Sequence, residues 1–170
     1  TEELGDRAGI SRSLMGLGVV SENLGNYEEA IDYHQRSLDI TEELGDRAGI
    51  SRSLMGLGNV SYLLGNYEEA INYYQRSLAI AEEMGDRAGI AISLNNLGIV
   101  SGNLGNYEEA IDYHQRSLAI KEEIGDRAGI ARSLNNLGLV SGNLGNYEEA
   151  IDYYQRSLAI KEEIGDRAGE

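Results

Sequence analysis

The side chains able to do chemistry fall into three groups, and two of them dissolve on inspection. His34 and His114 are the only histidines. Each stands in a slot that Tyr74 and Tyr154 fill in other copies of a repeated segment, so the slot is not reserved for an imidazole. They also lie far apart in the chain, which makes no metal-ligand cluster. Paired glutamates such as Glu28 with Glu29 and Glu42 with Glu43 suggest acid–base carboxylates. Adjacent residues point in different directions on a helix, however, and do not share a proton. The third group is amides and guanidinium groups. An Asn side chain donates and accepts at once and can hold a peptide backbone in register. An Arg makes two-pronged contacts to a carboxylate. This is recognition chemistry. No nucleophile, base and orienting group come together. The glycines occur singly rather than as a phosphate loop, and cysteine is absent, which removes disulfides and thiolate metal sites. The expectation is a chain that is not an enzyme and needs no cofactor and no metal.

The element that positions these groups is a forty-residue segment, read most clearly from Lys121 to Ile160, which also occupies 1–40, 41–80 and 81–120 in edited form. A fixed period of this length marks a stacked repeat protein, in which each unit touches only its neighbours. Within each copy the apolar residues recur at gaps of three and four. Around residue 50 they are Ile50, Leu54, Leu57, Val60 and Leu64, which share one face of a helix over Ala48 to Leu64. Gly65 ends that helix in a left-handed conformation. Asn66 then reads as an N-cap, with Glu69 completing a capping box. The second helix runs from Tyr67 to about Met84, Gly85 stops it, and Asp86 caps the next. Short connections force neighbouring helices antiparallel. The expected architecture is all-α: a right-handed α-solenoid of about four helix-turn-helix repeats, over 8–47, 48–87, 88–127 and 128–167, in a single domain spanning 1–170. Residues 1–7 read as the tail of a preceding helix, and the whole as a piece of a longer array. Glu170 stands where other copies have Ile and reads either as a true end or as drift. Gly18, Gly58, Gly98 and Gly138 fall mid-helix, where Gly costs about 1 kcal/mol against Ala; a cost repeated in every copy points to close helix–helix approach.

Comparing the copies locates a working face. Between the second and third copies, eleven positions of forty change. Those in the first helix at 52, 55, 56, 59, 62 and 63 are again spaced by three and four, on the face opposite Leu54, Leu57 and Leu64. The second helix barely changes. A variable face is either solvent surface free to drift or a groove tuned position by position. Its contents favour the groove. Met15, Val19, Met55, Tyr62, Ile99 and Leu139 are not typical solvent residues. Asn59, Asn95, Asn96, Asn103, Asn135, Asn136 and Asn143 can pair with a peptide backbone. Arg12, Arg52 and Arg132 form a basic row, broken by Ile92, through an otherwise acidic body. The rival reading pairs these Arg with Glu22 or Asp46. Tyr33, Tyr73, Tyr113 and Tyr153, like Tyr27, Tyr67, Tyr107 and Tyr147, read as packing residues with the hydroxyl toward water.

Leu134-x-x-Leu137-Gly138-x-x-Ser141 followed by Ala150-x-x-x-Tyr154 resembles the tetratricopeptide repeat signature, and the match recurs at Leu14-Leu17-Gly18, Leu54-Leu57-Gly58 and Leu94-Leu97-Gly98. Leu replaces the signature Trp, Ser replaces the first-helix aromatic, the late Pro is missing, and the period is forty. The forty-residue form, with LGNYEEAI and EELGDRAG, is similar to the tetratricopeptide arrays of the Pins/LGN spindle-orientation adaptors, of kinesin light chain and of bacterial signalling proteins. The resemblance implies a scaffold whose first helices line a concave groove for a peptide of a partner protein. It also implies that first-helix Asn and Arg, at the positions just named, make the contacts.

Charge and composition bound the partners. The formal net charge is −15, which disfavours nucleic acid and anionic membrane, because phosphate binding needs clustered Lys and Arg. With no apolar run of membrane-spanning length and no signal peptide, the expectation is a cytoplasmic protein. The expected partner is a protein or peptide carrying some acidic residues. Two alternatives stand beside it. Without special capping repeats, Leu14, Leu17 and Leu24 at one end and Ile151, Tyr154 and Leu158 at the other would be exposed, so the chain could assemble head to tail or by swapping helices. The chain could also be a regulatory or sensor arm of a larger signalling protein.

Overall fold

The structure, a computed structural model, describes residues 2–168, so the readings placed on Thr1 and Glu170 lie outside the described residues. Among the described residues there are eight helices and no strand: α1 (Glu2–Asn23), α2 (Tyr27–Leu44), α3 (Arg47–Leu63), α4 (Tyr67–Met84), α5 (Arg87–Asn103), α6 (Tyr107–Ile124), α7 (Arg127–Asn143) and α8 (Tyr147–Ala168). They fall into two compact units, Thr1–Asp86 and Arg87–Glu170, each of two helix pairs. The boundary falls between α4 and α5, one residue before the expected repeat boundary.

The turns follow from glycine. Gly25, Gly65, Gly105 and Gly145 hold φ between 78° and 82°, and Gly45, Gly85 and Gly125 hold φ of 64°, 66° and 73°. An L side chain is strained in that region, and Gly is not. The start signals divide. Asp46 and Asp126 accept a hydrogen bond from the backbone N–H of Gly49 and Gly129, at 3.0 and 2.9 Å, and so cap α3 and α7. Asn26, Asn66 and Asn106 make no side-chain cap, contrary to the capping-box expectation. The glutamate three positions on is engaged elsewhere: Ser21 donates to Glu29 at 3.2 Å and Ser101 to Glu109 at 3.0 Å, tying each second helix to its own first helix. At the chain's two ends Gly5 and Gly165 lie inside α1 and α8 rather than breaking them.

Unit 1 buries Leu38, Ile50, Leu54, Leu57 and Ile80, with Ile31 and Tyr73 against them. Unit 2 buries Leu118, Ile130, Leu134, Leu137 and Tyr153, with Ile111 and Ile160 against them. Each such Leu or Ile contributes about 1.5–3 kcal/mol. Beside this apolar layer runs a layer of small hydroxyls. In unit 1 Ser37 of α2 is its hub, with Ser11 Oγ of α1 at 3.0 Å and Ser53 of α3 donating at 3.1 Å. In unit 2 Ser117 and Ser157 donate to the carbonyls of Ala91 and Ala131, both at 2.8 Å. Outside the core, Arg7–Glu43, Arg47–Glu83, Arg87–Glu123 and Arg127–Glu163 form one exposed ion pair in each helix pair.

The mid-helix glycines are where a second-helix ring presses on a first helix. A Cβ on Gly18 would fall 2.5 Å from the His34 imidazole, and one on Gly58 would fall 2.6 Å from the Tyr74 ring. Gly98 stands in the same relation to His114, at 2.7 Å, and Gly138 to Tyr154, at 3.0 Å. The close approach expected from sequence is therefore present. His34 is pressed from both sides, because Gly56 of α3 also lies against it.

The end helices leave apolar side chains uncovered. On α1, Ile10, Leu17 and Val20 are exposed, as is Leu24 in the turn after it, and on α8 so are Ile151, Tyr154 and Leu158. Leu14 is the exception to the expectation: it is buried, because it lies on the side of α1 that meets α2 and α3.

Candidate functional site

The variable face lies on two adjacent first helices in each unit, α1 beside α3 and α5 beside α7. In unit 1, Arg12, Val19 and Arg52 are exposed, while Met15, Met55, Asn59 and Tyr62 are half-buried. In unit 2, Asn95, Asn96, Ile99, Asn135 and Asn136 are half-buried, and Asn103, Arg132, Leu139 and Asn143 are exposed. None of these residues is sealed in the core. The helical spacing accounts for it: Leu54 and Leu57 turn inward, which leaves residues 52, 55, 59 and 62 on the other side of α3.

The two faces differ in what they hold. In unit 1 the Tyr74 hydroxyl donates to Asn59 Oδ1 at 2.8 Å, so the acceptor of this amide is committed inside the protein. Burial raises the Tyr74 pKa, with the Glu22 carboxylate and Tyr62 adding to it. Burial also raises Glu22 itself. The Tyr62 ring lies 5.7 Å from that of Tyr67. In unit 2 the Asn136 amide donates to Asn95 Oδ1 at 3.0 Å, linking α7 to α5.

Arg12, Arg52 and Arg132 make no ion pair among the described residues; the pairing with Glu22 or Asp46 does not form. Arg12 instead donates to the carbonyl of Ala8 at 3.4 Å. A cavity of roughly 370 Å³ opens beside Arg132, lined also by Ile92, Asn95, Asn96, Ile124 and Asp126. Its wall holds one cation that sequence reasoning missed, Lys121 of α6, which is buried and donates to Ser133 at 3.0 Å. The signal for it was available. The same position holds Thr41 and Ala81 between helix pairs, where residues of that size mark an inward-facing slot, and the lysine recurs as the exposed Lys161 on α8.

The histidines are core residues. His34 is buried with neither nitrogen hydrogen-bonded, and His114 is buried with Nδ1 unpaired. Burial lowers the pKa of both, that of His114 to about 4 with the nearby Lys121 charge contributing. Among the described residues no group of three or more His, Cys, Asp or Glu side chains could hold a metal ion. No described helix is long and apolar enough to cross a membrane.

Solved structures of similar fold include BtubC (BKLC) from P. vanneervenii, at 22% identity and a TM-score of 0.85, covering 91% of this chain and 64% of that one. Aspartyl phosphate phosphatase F from Bacillus subtilis matches at 20% identity and a TM-score of 0.89, covering 94% of this chain and 42% of that one. A Rap protein complexed with Competence and Sporulation Factor matches at 20% identity and a TM-score of 0.85, covering 98% and 45%. The chain thus spans less than two thirds of each. Comparison with curated proteins found no match. The tetratricopeptide repeat model matches residues 9–83 and 89–163. With helix pairs of this kind, an all-α repeat solenoid fold and that model over most of its length, the chain belongs to the tetratricopeptide repeat family.

Proposed function

We propose that the chain is a protein-interaction scaffold whose first helices bind a peptide segment of a partner, with acidic residues meeting Arg12 and Arg52 in unit 1 and Arg132 in unit 2, each unit taken by itself. The observation that carries this reading is the combination of variability and partial burial on one face. Met15, Met55, Tyr62, Asn95, Asn96, Ile99, Asn135 and Asn136 are neither core nor fully solvated, and they change between copies whose core leucines do not. Half-buried apolar side chains beside amides suit a ligand that presents both side chains and backbone. Among the described residues the three guanidinium groups have no internal carboxylate to leave before they meet an acidic residue. The named Rap complex supports the reading in a general way, as a protein of this fold holding a second molecule. Catalysis is not part of the proposal, although one protein of similar fold is named as a phosphatase. A peptide array probed with the full chain tests it. Acidic peptides should be selected, and Arg52→Ala with Arg132→Ala should weaken binding by about tenfold or more, one charge-assisted contact being worth roughly 1.5–3 kcal/mol. Unchanged affinity in the double variant would overturn the role given to the basic row.

A second reading, self-assembly, has its own support in the uncovered apolar faces of α1 and α8. Light scattering across a concentration series separates the two: a mass that stays monomeric throughout removes assembly through these faces.

A further inference from the structure

The cavity in unit 2 has a chemistry of its own. Lys121 is 5% exposed, and among the described residues its ammonium group donates to the Ser133 hydroxyl at 3.0 Å. An ammonium carries three donors, and a buried charge is costly unless it is paired. Among the described residues neither Lys121 nor Arg132, on the same wall, forms an ion pair. Asn95 adds a further donor. Its carbonyl oxygen accepts from Asn136, so the amide's N–H groups are not used in that bond, and the residue lines the cavity. Asp126 is the one carboxylate on the wall, and it is engaged in capping α7 through the Gly129 N–H. Ala88, Ala91, Ile92 and Ile124 supply an apolar surround. The cavity therefore collects donors from α5, α6 and α7 around a space of roughly 370 Å³.

We propose that this cavity is a subsite for a phosphoryl group, free or carried on a peptide side chain. A planar carboxylate offers two oxygens in one plane. A phosphoryl group presents three, which matches donors arriving from three helices, and Arg and Lys beside amide donors are the usual partners of such an oxyanion. The environment agrees. Burial holds Lys121 below the ordinary lysine range, the Arg132 charge adds to this, and Asp126 opposes it, so an anion placed here relieves an existing penalty. The pairing is specific to this copy. Unit 1 has Arg52 but holds Thr41 in place of the lysine, and Thr41 turns its hydroxyl back onto the carbonyls of Ser37 and Leu38. The proposal does not depend on the peptide reading, because inorganic phosphate alone tests it.

The experiment is isothermal titration of the full chain with sodium phosphate, against sodium chloride at matched ionic strength. A phosphoserine peptide and its glutamate counterpart follow. Saturable binding of phosphate, the phosphoserine peptide or both is expected, and the stronger of the two identifies the source of the group. Lys121→Thr and Arg132→Ile install residues that other copies carry, Thr41 and Ile92. Each should weaken binding at least about tenfold, as the loss of a charge-assisted contact does. Arg116→Ala, on an exposed face of α6, should leave binding unchanged. Absence of binding by both probes, binding untouched in both variants, or a glutamate peptide that binds as well as the phosphoserine one would overturn the proposal. Should Lys121→Thr unfold, Arg132→Ile decides alone, because Arg132 is exposed and outside the core.

Discussion

Unit 1 and unit 2 are built from the same sentence, and they place different chemistry in the same positions. Where unit 1 has Thr41, closed on its own helix, unit 2 has Lys121 reaching across to α7. Where unit 1 has Met55 and Gly56, unit 2 has the amide pairs Asn95–Asn96 and Asn135–Asn136. The cores beneath are equivalent: Leu54 and Leu57 in one, Leu134 and Leu137 in the other. A copied scaffold thus keeps its core leucines while other positions change. The difference falls on the first-helix faces and on a few inward slots such as that of Thr41 and Lys121.

The largest effect that sharpens this comparison is acid sensitivity in the buried ring slot. His114 has a folded-state pKa of about 4 against an ordinary value of 6.5. The unfolded chain therefore binds the proton more readily. The stabilisation is fully present above about pH 6.5 and is lost as pH falls toward 4, a total of about 3 kcal/mol. His34 is shifted in the same direction by burial. Urea melts of wild type and His114→Tyr between pH 7 and pH 4 should diverge, with the Tyr variant losing less. Parallel losses would show that the imidazole is not the titrating group.

Next in size is a change that should reverse sign between copies. Gly56 and Gly16 occupy the same position in successive repeats. A Cβ on Gly56 would fall 2.6 Å from His34, whereas one on Gly16 has nothing within 4 Å. Gly56→Ala should destabilise by about 1–3 kcal/mol through overpacking. Gly16→Ala should stabilise by up to about 1 kcal/mol, the helix propensity gain. Thermal melts of the two variants check both, and equal signs would break the comparison.

Smaller again is the internal hydrogen bond of unit 1. Tyr74→Phe strands Asn59 Oδ1 and should cost about 1 kcal/mol. Tyr154→Phe, at an exposed ring, should cost close to nothing. The smallest effect belongs to the exposed ion pairs. Arg47→Ala removes the Glu83 contact and should cost under about 1 kcal/mol, less still at high salt.

Much of the fold was legible in the sequence because its signals are local and repeated. The turn glycines, the three-and-four spacing and the mid-helix glycines each state a backbone requirement, and the structure meets it. What was not legible depended on pairs distant in sequence. Asn26, Asn66 and Asn106 have the right neighbours for a capping box, but Ser21 and Ser101 on the first helices take Glu29 and Glu109 instead. Leu14 was expected to be exposed as part of an end helix; the end helix still has an inner side, and Leu14 is on it. Asn59 reads as a peptide ligand until Tyr74 is found to use its oxygen. Lys121 sits in an acidic, apparently solvated helix end, and only the first helix that follows it in space makes it buried.

The proposal that the first-helix face takes a peptide is tested most directly by an NMR titration of the full chain with an acidic peptide from the array. Met55 in unit 1, or Asn95 and Asn135 in unit 2, should shift, while Asp32 and Asp112 on the second helices stay still. Shifts confined to the second helices, with Met55, Asn95 and Asn135 unmoved, would contradict it.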